Sequence, residues 1–374
     1  MTVGPEVAAL HGIAEFRTGL RTWLDANDLS PGSDHSLDAQ VTQLLRVRRA
    51  LFDADWMRYG WPGEIGGLGG PAALRAVLGE EVATRDLAEP GIWSMIEVLA
   101  PTMISYAPPA LAAEMVPLLL SGREQWCQGF SEPGSGSDLA SLSTKAIPRD
   151  GHWVISGQKV WTSLAQYAAR CVLLTRTGPG HDGITAFFLD MDSPGITVRP
   201  LRTMHGVDEF AEVFFDDVVV PGDRLLGAPG DGWRIAMDLL PHERSTCFWH
   251  RIAYLFTRLE NVLAQGDPSA EDDRDLGAAF LALHTVRCRS LGTQRRLAAG
   301  AKLGPETSVD KVLLAGAEQQ LFDLARDLLP GAVELDDGPW RTEFLYSRAA
   351  TIYGGTAEIQ RNIIARRLLD LGKE

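Results

Sequence analysis

The sequence predicts an α+β chain in three successive parts: a helical domain over residues 1–124, a β domain over 125–222 and a second helical domain over 223–374. Changes of hydrophobic period predict this order. Apolar side chains recur at helical spacing over 8–27 and again over 36–59. Strand-like runs separated by Gly, Pro, Asp and His follow residue 125, and the helical period returns from Gly230.

Four or five helical segments are predicted before residue 125, including 8–27, 36–59, 72–85 and 109–121. Arg48 interrupts the apolar stripe of the second segment. Glycine and proline in residues 60–70 exclude regular structure there and predict a loop between helices. The last part of the chain has four further helical segments, at 232–264, 274–298, 305–329 and 340–369, with a polar break at 267–273.

In the middle part, residues 153–162 are predicted to form a hairpin that turns at Ser156-Gly157-Gln158. Strand-like runs then follow at 171–177, 184–191, 196–201 and 212–220. These runs predict a β domain that separates the two helical parts.

The composition is typical of a globular chain, with 374 residues, 45% hydrophobic residues and a net charge of -14. The length allows two or three domains, or one large layered fold. The acidic balance argues against nucleic acid or an anionic membrane as the main partner. Four scattered cysteines show no metal-ligand spacing and predict reduced thiols. With no signal peptide and no long apolar run, we expect a cytoplasmic protein.

Residues 126–138 combine aromatic side chains, small hydroxyls and three glycines in one short window. Glycine lets a backbone approach a ligand closely, and consecutive N–H groups in such a loop can bind an anion. The alternative interpretation is an ordinary polar surface loop. A second segment, Gly157-Gln158-Lys159-Val160-Trp161-Thr162-Ser163, places a tryptophan and a hydroxyl close together on a predicted strand.

Two more segments complete an ordered set: Asp231-Gly232-Trp233 before a helix that carries His242-Glu243-Arg244, and Tyr353-Gly354-Gly355-Thr356-Ala357-Glu358 near the C-terminus. Together the four segments resemble the acyl-CoA dehydrogenase family of FAD-dependent flavoproteins. The resemblance covers most of the chain. It implies an N-terminal α-helical domain, a middle β-sandwich or barrel-like domain and a C-terminal four-helix bundle.

The resemblance also implies a flavin site between the β domain and the bundle. Carried over by motif, the cofactor-binding residues would be Phe130, Ser131, Ser137, Trp161, Ser163, Thr356 and Glu358. In this assignment Ser137 reaches the pyrophosphate and Trp161 packs on the flavin ring. Periodicity alone favours the alternative that Trp161 is a core residue of the β domain. Glu358 stands where the family commonly has glutamine.

The implied reaction is α,β-desaturation of an acyl-CoA thioester, in which a carboxylate removes the α-proton. Many family members carry this base directly after the tyrosine of the C-terminal motif, but Gly354 occupies that place here. A minority place the base on the first helix of the C-terminal domain, and Glu243 stands at that position. The alternative is a solvated glutamate paired with an arginine. The substrate would contact Ser137, Arg244, Gly354 and Gly355, and a helix-borne base hints at a bulky, branched or steroid-side-chain acyl group.

A second departure concerns the far half of the cofactor. In many homotetrameric members, an Arg-x-x-Phe-Gly segment of a neighbouring subunit contacts FAD. This chain has the polar break at 267–273 and Arg274-Asp275-Leu276-Gly277 instead, and Asp327 and Pro330-Gly331 replace an expected glutamine and glycine pair. Two assemblies stay open: a homotetramer with different FAD contacts, or an α2β2 heterotetramer with a homologous subunit.

Three other functions compete with the dehydrogenase. They are an oxygen-using oxidase or monooxygenase on the same scaffold, a structural subunit with a degenerate site, and a plain helical scaffold protein. The four ordered motifs argue against the last two. By resemblance, the electron acceptor of a dehydrogenase would be an electron-transferring flavoprotein.

Overall fold

In a computed structural model of the chain, residues 5–266, 273–336 and 338–372 are described, with side chains described from residue 12 onward. Most of the polar break at 267–273 therefore lies outside the described residues. The chain before residue 125 is helical, as predicted. It forms α1 (Pro5–Ala26), α2 (Leu37–Asp53), α3 (Ala73–Thr84), α4 (Pro90–Ser94), α5 (Ile96–Tyr106) and α6 (Pro109–Leu120).

Arg48 interrupts the apolar stripe of α2 and is nevertheless fully buried. Its guanidinium donates to Gln125 Oε1 at 2.8 Å and to the carbonyl oxygens of Trp93 and Ile92 at 3.0 and 3.1 Å. Burial lowers the pKa of Arg48 to about 9. Because internal acceptors satisfy the side chain, Arg48 does not end the helix but joins α2 to α4.

The middle part forms one mixed sheet. Its strands are β1 (Gln125–Gly129), β2 (Lys145–Arg149), β3 (His152–Ser163), β4 (Ala168–Arg176), β5 (Ile184–Asp190), β6 (Ile196–Leu201), β7 (Phe210–Pro221) and β8 (Leu225–Leu226). The strand order is β6-β7-β3-β2-β4-β5-β8, and β1 pairs in parallel with β4. The boundaries predicted at 124/125 and 222/223 stay predictions, and β8 lies beyond the second.

The hairpin predicted within 153–162 is wrong, because β3 runs through this segment as one strand. Its register with β7 shifts between Ile155 and Gly157. Gly157 has a φ of +152°, and a β-carbon there would lie 2.6 Å from Thr144 Oγ1. The glycine therefore marks a β-bulge in close contact with a neighbouring segment rather than a turn.

The two faces of the sheet have separate cores, as period-two alternation requires. On β4, Val172 and Leu174 belong to a core shared with the N-terminal helices, whereas Cys171 and Leu173 belong to a core within the β part. All four cysteines are free thiols. Among the described residues, no helix combines the length and apolar character needed to cross a membrane.

The C-terminal part is again helical, with α7 (Gly232–Glu243), α8 (Thr246–Gln265), α9 (Asp273–Ala298), α10 (Thr307–Leu328), α11 (Pro339–Ser347) and α12 (Ala357–Ile363). The predicted bundle is confirmed, because α8 to α11 share one hydrophobic core. That core includes Ile252, Leu259, Leu283, Leu321 and Trp340.

Two of the long helices predicted in this part are broken. The segment 232–264 divides at Ser245, whose backbone is not helical (φ -119°, ψ -94°) and whose hydroxyl donates to His242 O at 2.7 Å. The segment 340–369 divides at a turn that contains Gly354 and Gly355. The first break places Glu243 at the last position of α7, and the second break places the glycine turn beside it.

Candidate active site

The carboxylate of Glu243 lies beside the glycine turn. A β-carbon built on Gly354 would lie 3.2 Å from Glu243 Oε1. The Glu243 side chain is half-buried and forms no hydrogen bond or salt bridge with another described residue. Burial raises its pKa, although the positive charges of Arg244 and Lys311 act in the opposite direction. An unpaired carboxylate with a raised pKa can accept a proton from a bound molecule.

The turn itself is held from two sides. Gly354 and Gly355 have φ values of +62° and +87°, which glycine adopts without steric cost. The carbonyl oxygen of Gly354 accepts hydrogen bonds from Arg244 Nη2 and from Gln360 Nε2, both at 3.1 Å. No acceptor among the described residues takes the N–H of Gly354 or Gly355. Two side chains thus hold the turn by one carbonyl, while its two backbone donors stay available.

Two residues at this site received no role in the sequence analysis. Gln360 donates to the turn from α12, and Lys311 is buried on α10 beside Tyr353, with Nζ 3.9 Å from the ring centroid. The signal for Lys311 was present in the sequence. A lysine lies on the apolar face of an amphipathic helix that also contains Leu314 and Leu321. Such a position favours a buried charge with a specific partner.

The glycine-rich segment 130–138 is anchored by a buried ion pair. Lys159 Nζ donates to Glu132 Oε1 at 2.8 Å and to the Phe130 carbonyl at 3.0 Å. The Glu132 carboxylate also accepts from the backbone N–H groups of Ser143 and Thr144. Burial alone would raise the pKa of Glu132, but these partners lower it to about 2. Burial lowers the pKa of Lys159 to about 8, against the attraction of Glu132.

The three serines of this segment lie in different environments. Ser131 is half-buried, and its carbonyl accepts from Val160 N at 2.9 Å. Ser135 is buried, and its hydroxyl donates to the Asp138 carbonyl at 2.8 Å. Ser137 is exposed. The hydroxyl of Ser135 thus closes the loop, and that of Ser137 stays accessible to a ligand.

Trp161 projects from the end of β3 with 61% of its surface exposed. Its φ is +60°, and its ring contacts Phe210 edge-on at 5.9 Å between centroids. The register of β3 with β7 shifts again between Lys159 and Thr162. Thr162 Oγ1 is buried and has no hydrogen-bond partner in the part of the chain that is described, and Ser163 is half-buried opposite Phe210. The second bulge turns Trp161 out of the sheet, so the alternative of a core tryptophan is wrong.

Thr356 and Glu358 lie at the start of α12. The hydroxyl of Thr356 caps this helix by accepting from Ile359 N at 3.3 Å. Glu358 is exposed, with Oε1 3.7 Å from Arg361 Nη1. Neither residue contacts Glu243 or Trp161 in the described structure, so their cofactor role stays a prediction.

A group of charged residues lies behind the glycine turn. Arg251 forms ion pairs with Glu318 at 2.9 Å and Glu343 at 3.0 Å, and Glu89 lies 3.6 Å away. Burial and the nearby carboxylates of Glu89 and Glu343 raise the pKa of Glu209 to about 8. The interior beside the turn therefore contains more carboxyl groups than cations and is strongly polar.

The structure thus brings Glu243, Arg244, Gly354 and Gly355 together from segments about 110 residues apart in sequence. Phe130, Ser131, Trp161 and Ser163 form a second group at the ends of β1 and β3.

Aromatic rings connect the loop before β7 with the glycine turn. The ring centroids are 5.4 Å apart for His205 and Tyr346, and 5.9 Å apart for Tyr346 and Tyr353.

Comparison with known proteins identifies related chains. Residues 127–218 match the acyl-CoA dehydrogenase middle domain, and residues 230–369 match the acyl-CoA dehydrogenase C-terminal domain. The chain is 37% identical to acyl-CoA dehydrogenase IpdE1 of Mycobacterium tuberculosis over 393 aligned residues, which cover 98% of this chain and 99% of that protein. It is 35% identical to acyl-CoA dehydrogenase FadE34 of the same organism, over 89% of this chain and 47% of that protein.

Two solved structures have the same fold. The Tcur3481-Tcur3483 steroid ACAD superposes with a TM-score of 0.83 at 23% identity, and the ChsE4-ChsE5 complex from Mycobacterium tuberculosis with 0.79 at 24%. Each alignment covers the full length of both chains. The family matches span more than half of this sequence, and the identity to IpdE1 holds over nearly all of it. The chain belongs to the acyl-CoA dehydrogenase family of oxidoreductases.

Proposed function

We propose that the chain is an FAD-dependent acyl-CoA dehydrogenase in which Glu243 removes the α-proton of the acyl-CoA thioester. The observation that carries this proposal is that the Glu243 carboxylate, unpaired among the described residues, occupies the space where Gly354 has no side chain. Gly354 has no side chain that could act as a base. Its N–H has no acceptor among the described residues and is suited to donate a hydrogen bond to the thioester oxygen.

Features of the β part fit a planar cofactor with a pyrophosphate group. The Trp161 ring is exposed beside a strand end, where it can stack on an isoalloxazine. β-Carbons built on Gly134 and Gly136 would meet nothing within 4 Å, so this loop is open to a ligand. The buried Thr162 Oγ1 has no partner among the described residues.

On this basis, Phe130, Ser131, Trp161 and Ser163 would hold the flavin ring. Ser137 would bind the pyrophosphate, and Thr356 and Glu358 would complete the site from α12. When bound, FAD supplies the acceptor for the β-hydrogen and its electron pair.

The protein's part of the reaction is proton transfer. The α-C–H bond breaks, its proton passes to a Glu243 oxygen, and its electron pair becomes the new double bond as the β-hydrogen leaves as hydride. The Gly354 N–H stabilises the negative charge that develops on the thioester oxygen. The raised pKa of Glu243 makes it a stronger base than an exposed glutamate, provided that it is ionised when substrate binds.

Replacing Glu243 by Gln tests this assignment. We expect flavin bleaching by acyl-CoA to slow by a factor of about 100 to 10,000, the usual contribution of a general base, while bound FAD is retained. The matched control is Glu114→Gln, which changes an exposed glutamate on α6 and should leave the rate unchanged. A Glu243→Gln protein that reduces its flavin at the normal rate would contradict the proposal.

We further propose a bulky acyl group, of the kind found on a steroid side chain or another branched skeleton. Support comes from the helix-borne base and from the steroid acyl-CoA dehydrogenase among the structural relatives. Initial rates of flavin bleaching with straight-chain, branched and ring-bearing acyl-CoA substrates distinguish these classes. A preference for short unbranched chains would contradict this part of the proposal.

We propose that a second subunit helps to bind the half of FAD that lies away from the flavin ring. A cleft of about 510 Å³ lies where the family's cofactor-binding glutamine and glycine pair are replaced, and it is lined by Gln265, Gly266, Asp327, Leu328, Leu329, Pro330 and Ala332. A homologous subunit that provides an arginine and an aromatic side chain would form an α2β2 assembly. The alternative is a homotetramer. Stoichiometric FAD in the chain purified alone would argue for the homotetramer.

We propose that electrons leave the reduced enzyme to an electron-transferring flavoprotein. Stopped-flow mixing of reduced enzyme with air-saturated buffer tests this acceptor. Slow reoxidation agrees with a dehydrogenase, whereas reoxidation as fast as turnover would indicate an oxidase or monooxygenase.

A further inference from the structure

Lys311 is a buried cation with an incomplete set of partners. Only 2% of the residue is exposed, and within the described ranges Nζ donates one hydrogen bond, to the Ala350 carbonyl at 2.6 Å. The ammonium also lies over the ring of Tyr353 at 3.9 Å and near the ring of Phe248 at 5.9 Å. One carbonyl and two ring faces do not replace the hydration of an ammonium group. A buried lysine in this setting needs a nearby negative charge.

Lys311 and Glu243 both lie close to Gly354. A β-carbon on this residue would lie 3.2 Å from Glu243 Oε1 and 3.8 Å from Lys311 Cε. The side chain of the lysine and the carboxylate of the glutamate therefore flank the same glycine. Glu318, seven residues along α10, and then Glu243 attract the charge of Lys311, but Glu318 is itself paired with Arg251.

The groups that face Glu243 come from four elements. Arg244 follows it at the end of α7, Cys247 lies on α8, Lys311 on α10, and Tyr353 in the turn. Arg244 uses Nη2 on the Gly354 carbonyl, so its charge is already engaged by the turn. Cys247 and Tyr353 are neutral, because burial raises the pKa of each well above its ordinary value. Lys311 is thus the cation on a facing helix that can respond to the charge of Glu243.

We propose that Lys311 is a positioning residue for the base: its ammonium group fixes the turn through Ala350 and keeps Glu243 ionised when an acyl group displaces water from the site. This inference rests on the proposed role of Glu243 as the base. A bound apolar acyl group removes solvent from the carboxylate, which favours the protonated and inactive form. A fixed positive charge opposes that effect and is strengthened by the same loss of water.

The simpler alternative is that Lys311 only holds the turn through its hydrogen bond to Ala350. The two roles predict different effects when the charge of Lys311 is removed. If the lysine is only a structural tie, its removal lowers activity equally at every pH. If it supports the ionised base, its removal moves the pH profile.

The test follows α-proton exchange in D2O, using 3,3-dimethylbutanoyl-CoA as the probe. This thioester has α-hydrogens but no β-hydrogen, so deuterium uptake reports base action without hydride transfer. Mass spectrometry measures uptake between pH 5 and 9 for the wild type, Lys311→Met, Lys311→Arg and Arg289→Met. Arg289 is a matched control, because it pairs with Asp310 on α10 and has no contact with Glu243 among the described residues.

For Lys311→Met we expect the midpoint of the exchange profile to rise by about one pH unit, with a loss of about tenfold at acidic pH and recovery at alkaline pH. Lys311→Arg and Arg289→Met should keep the wild-type midpoint. An unchanged midpoint in a folded Lys311→Met protein would overturn the inference. Wild-type protein that exchanges no deuterium would instead contradict the role of Glu243, so the two failures are distinguishable.

A second measurement needs neither substrate nor cofactor. Urea unfolding at pH 7 compares Glu243→Gln in the wild-type and in the Lys311→Met background, because burial lowers the pKa of Lys311 to about 8 and the lysine is still largely protonated at pH 7. Neutralising Glu243 should be more stabilising when Lys311 is absent, because the carboxylate has then lost its compensating charge. Equal effects in both backgrounds would show that the two side chains are not coupled and would overturn the inference. If Lys311→Met does not fold, Lys311→Gln takes its place in both measurements.

Discussion

The carboxylate of Glu243 occupies the space into which a side chain at Gly354 would point, since a β-carbon there would lie 3.2 Å from Oε1. Gly354→Ala should therefore impair catalysis in two ways. A non-glycine residue at φ +62° costs about 1–2 kcal/mol, and the methyl group crowds the base. We expect flavin reduction to slow by about ten- to a hundred-fold, because small displacements of a base reduce rate strongly.

Gly300→Ala is the matched control for that prediction. Gly300 has a φ of +75°, but a β-carbon there would meet nothing within 4 Å. Both variants should lose similar stability from backbone strain, and only Gly354→Ala should lose activity. Equal rates in the two variants, followed by stopped-flow absorbance, would mean that the contact with Glu243 has no catalytic consequence.

The folding stability of the protein should depend on pH through Glu243. Burial raises the pKa of this carboxyl above its ordinary value of 4.5. The folded state therefore holds the proton more tightly than the unfolded state, and the associated stability is lost as pH rises through the folded pKa. Glu243→Gln should accordingly raise the urea midpoint at pH 8 and change it little at pH 4. Glu114→Gln, on the exposed face of α6, should have no effect at either pH.

Removing the cation of the buried ion pair in the β part should destabilise the fold. Lys159→Met leaves the Glu132 carboxylate buried without its ammonium partner, which typically costs about 3–5 kcal/mol. Because the pKa of Glu132 is lowered to about 2, the stabilisation is present above its ordinary value of 4.5 and is lost as pH falls towards 2. Denaturant unfolding between pH 3 and 7 should show a weaker pH dependence in the variant. The double variant Lys159→Met/Glu132→Gln should recover part of the loss, and failure to recover would argue against charge burial as the cause.

Trp161 should matter for cofactor binding and not for folding. Its ring is 61% exposed and its φ of +60° suits glycine, so Trp161→Gly should leave stability unchanged or raise it by up to about 1 kcal/mol. We expect weaker FAD binding, measured by flavin fluorescence on titration of apoprotein. Trp153→Leu provides the contrast, because Trp153 packs against Phe187 within the β part. It should lower stability without changing FAD affinity; tight FAD binding by Trp161→Gly would exclude stacking on the cofactor.

The order of helical, β and helical parts could be predicted because each part has its own hydrophobic period. The hairpin at 153–162 could not, because Gly157 has the local signature of a turn while its role depends on a neighbouring strand. Nine of the twelve residues of β3 pair with β7, and this long-range pairing overrides a local turn propensity. At Arg48 the local pattern indicates an interruption of the apolar stripe, but the residue belongs to the core. Carbonyl groups distant in sequence accept its hydrogen bonds, and the sequence pattern does not reveal them.

At the candidate site, the resemblance to a family was sufficient to select Glu243 and the glycine turn, and the structure places them side by side. It was not sufficient for Lys311 or Gln360, which act on the turn from α10 and α12. The position of Lys311 on the apolar face of α10 indicates burial but not its partner, and Gln360 has no distinctive local pattern, so both roles depend on tertiary packing that periodicity does not contain. The exposure of Trp161 likewise depends on a bulge that shifts the strand by one residue.

Glu243 and Arg244 are adjacent in sequence. Glu243 lies beside the glycine turn, and Arg244 donates a hydrogen bond to the Gly354 carbonyl of the same turn. Inserting or deleting a single residue in α7 would rotate this pair by about 100° and turn both away from the glycines together. The site can tolerate single substitutions near this pair, but it cannot tolerate a change in the length of α7. We therefore expect homologous sequences to differ in composition between Gly232 and Ser245, while the length of this segment stays constant.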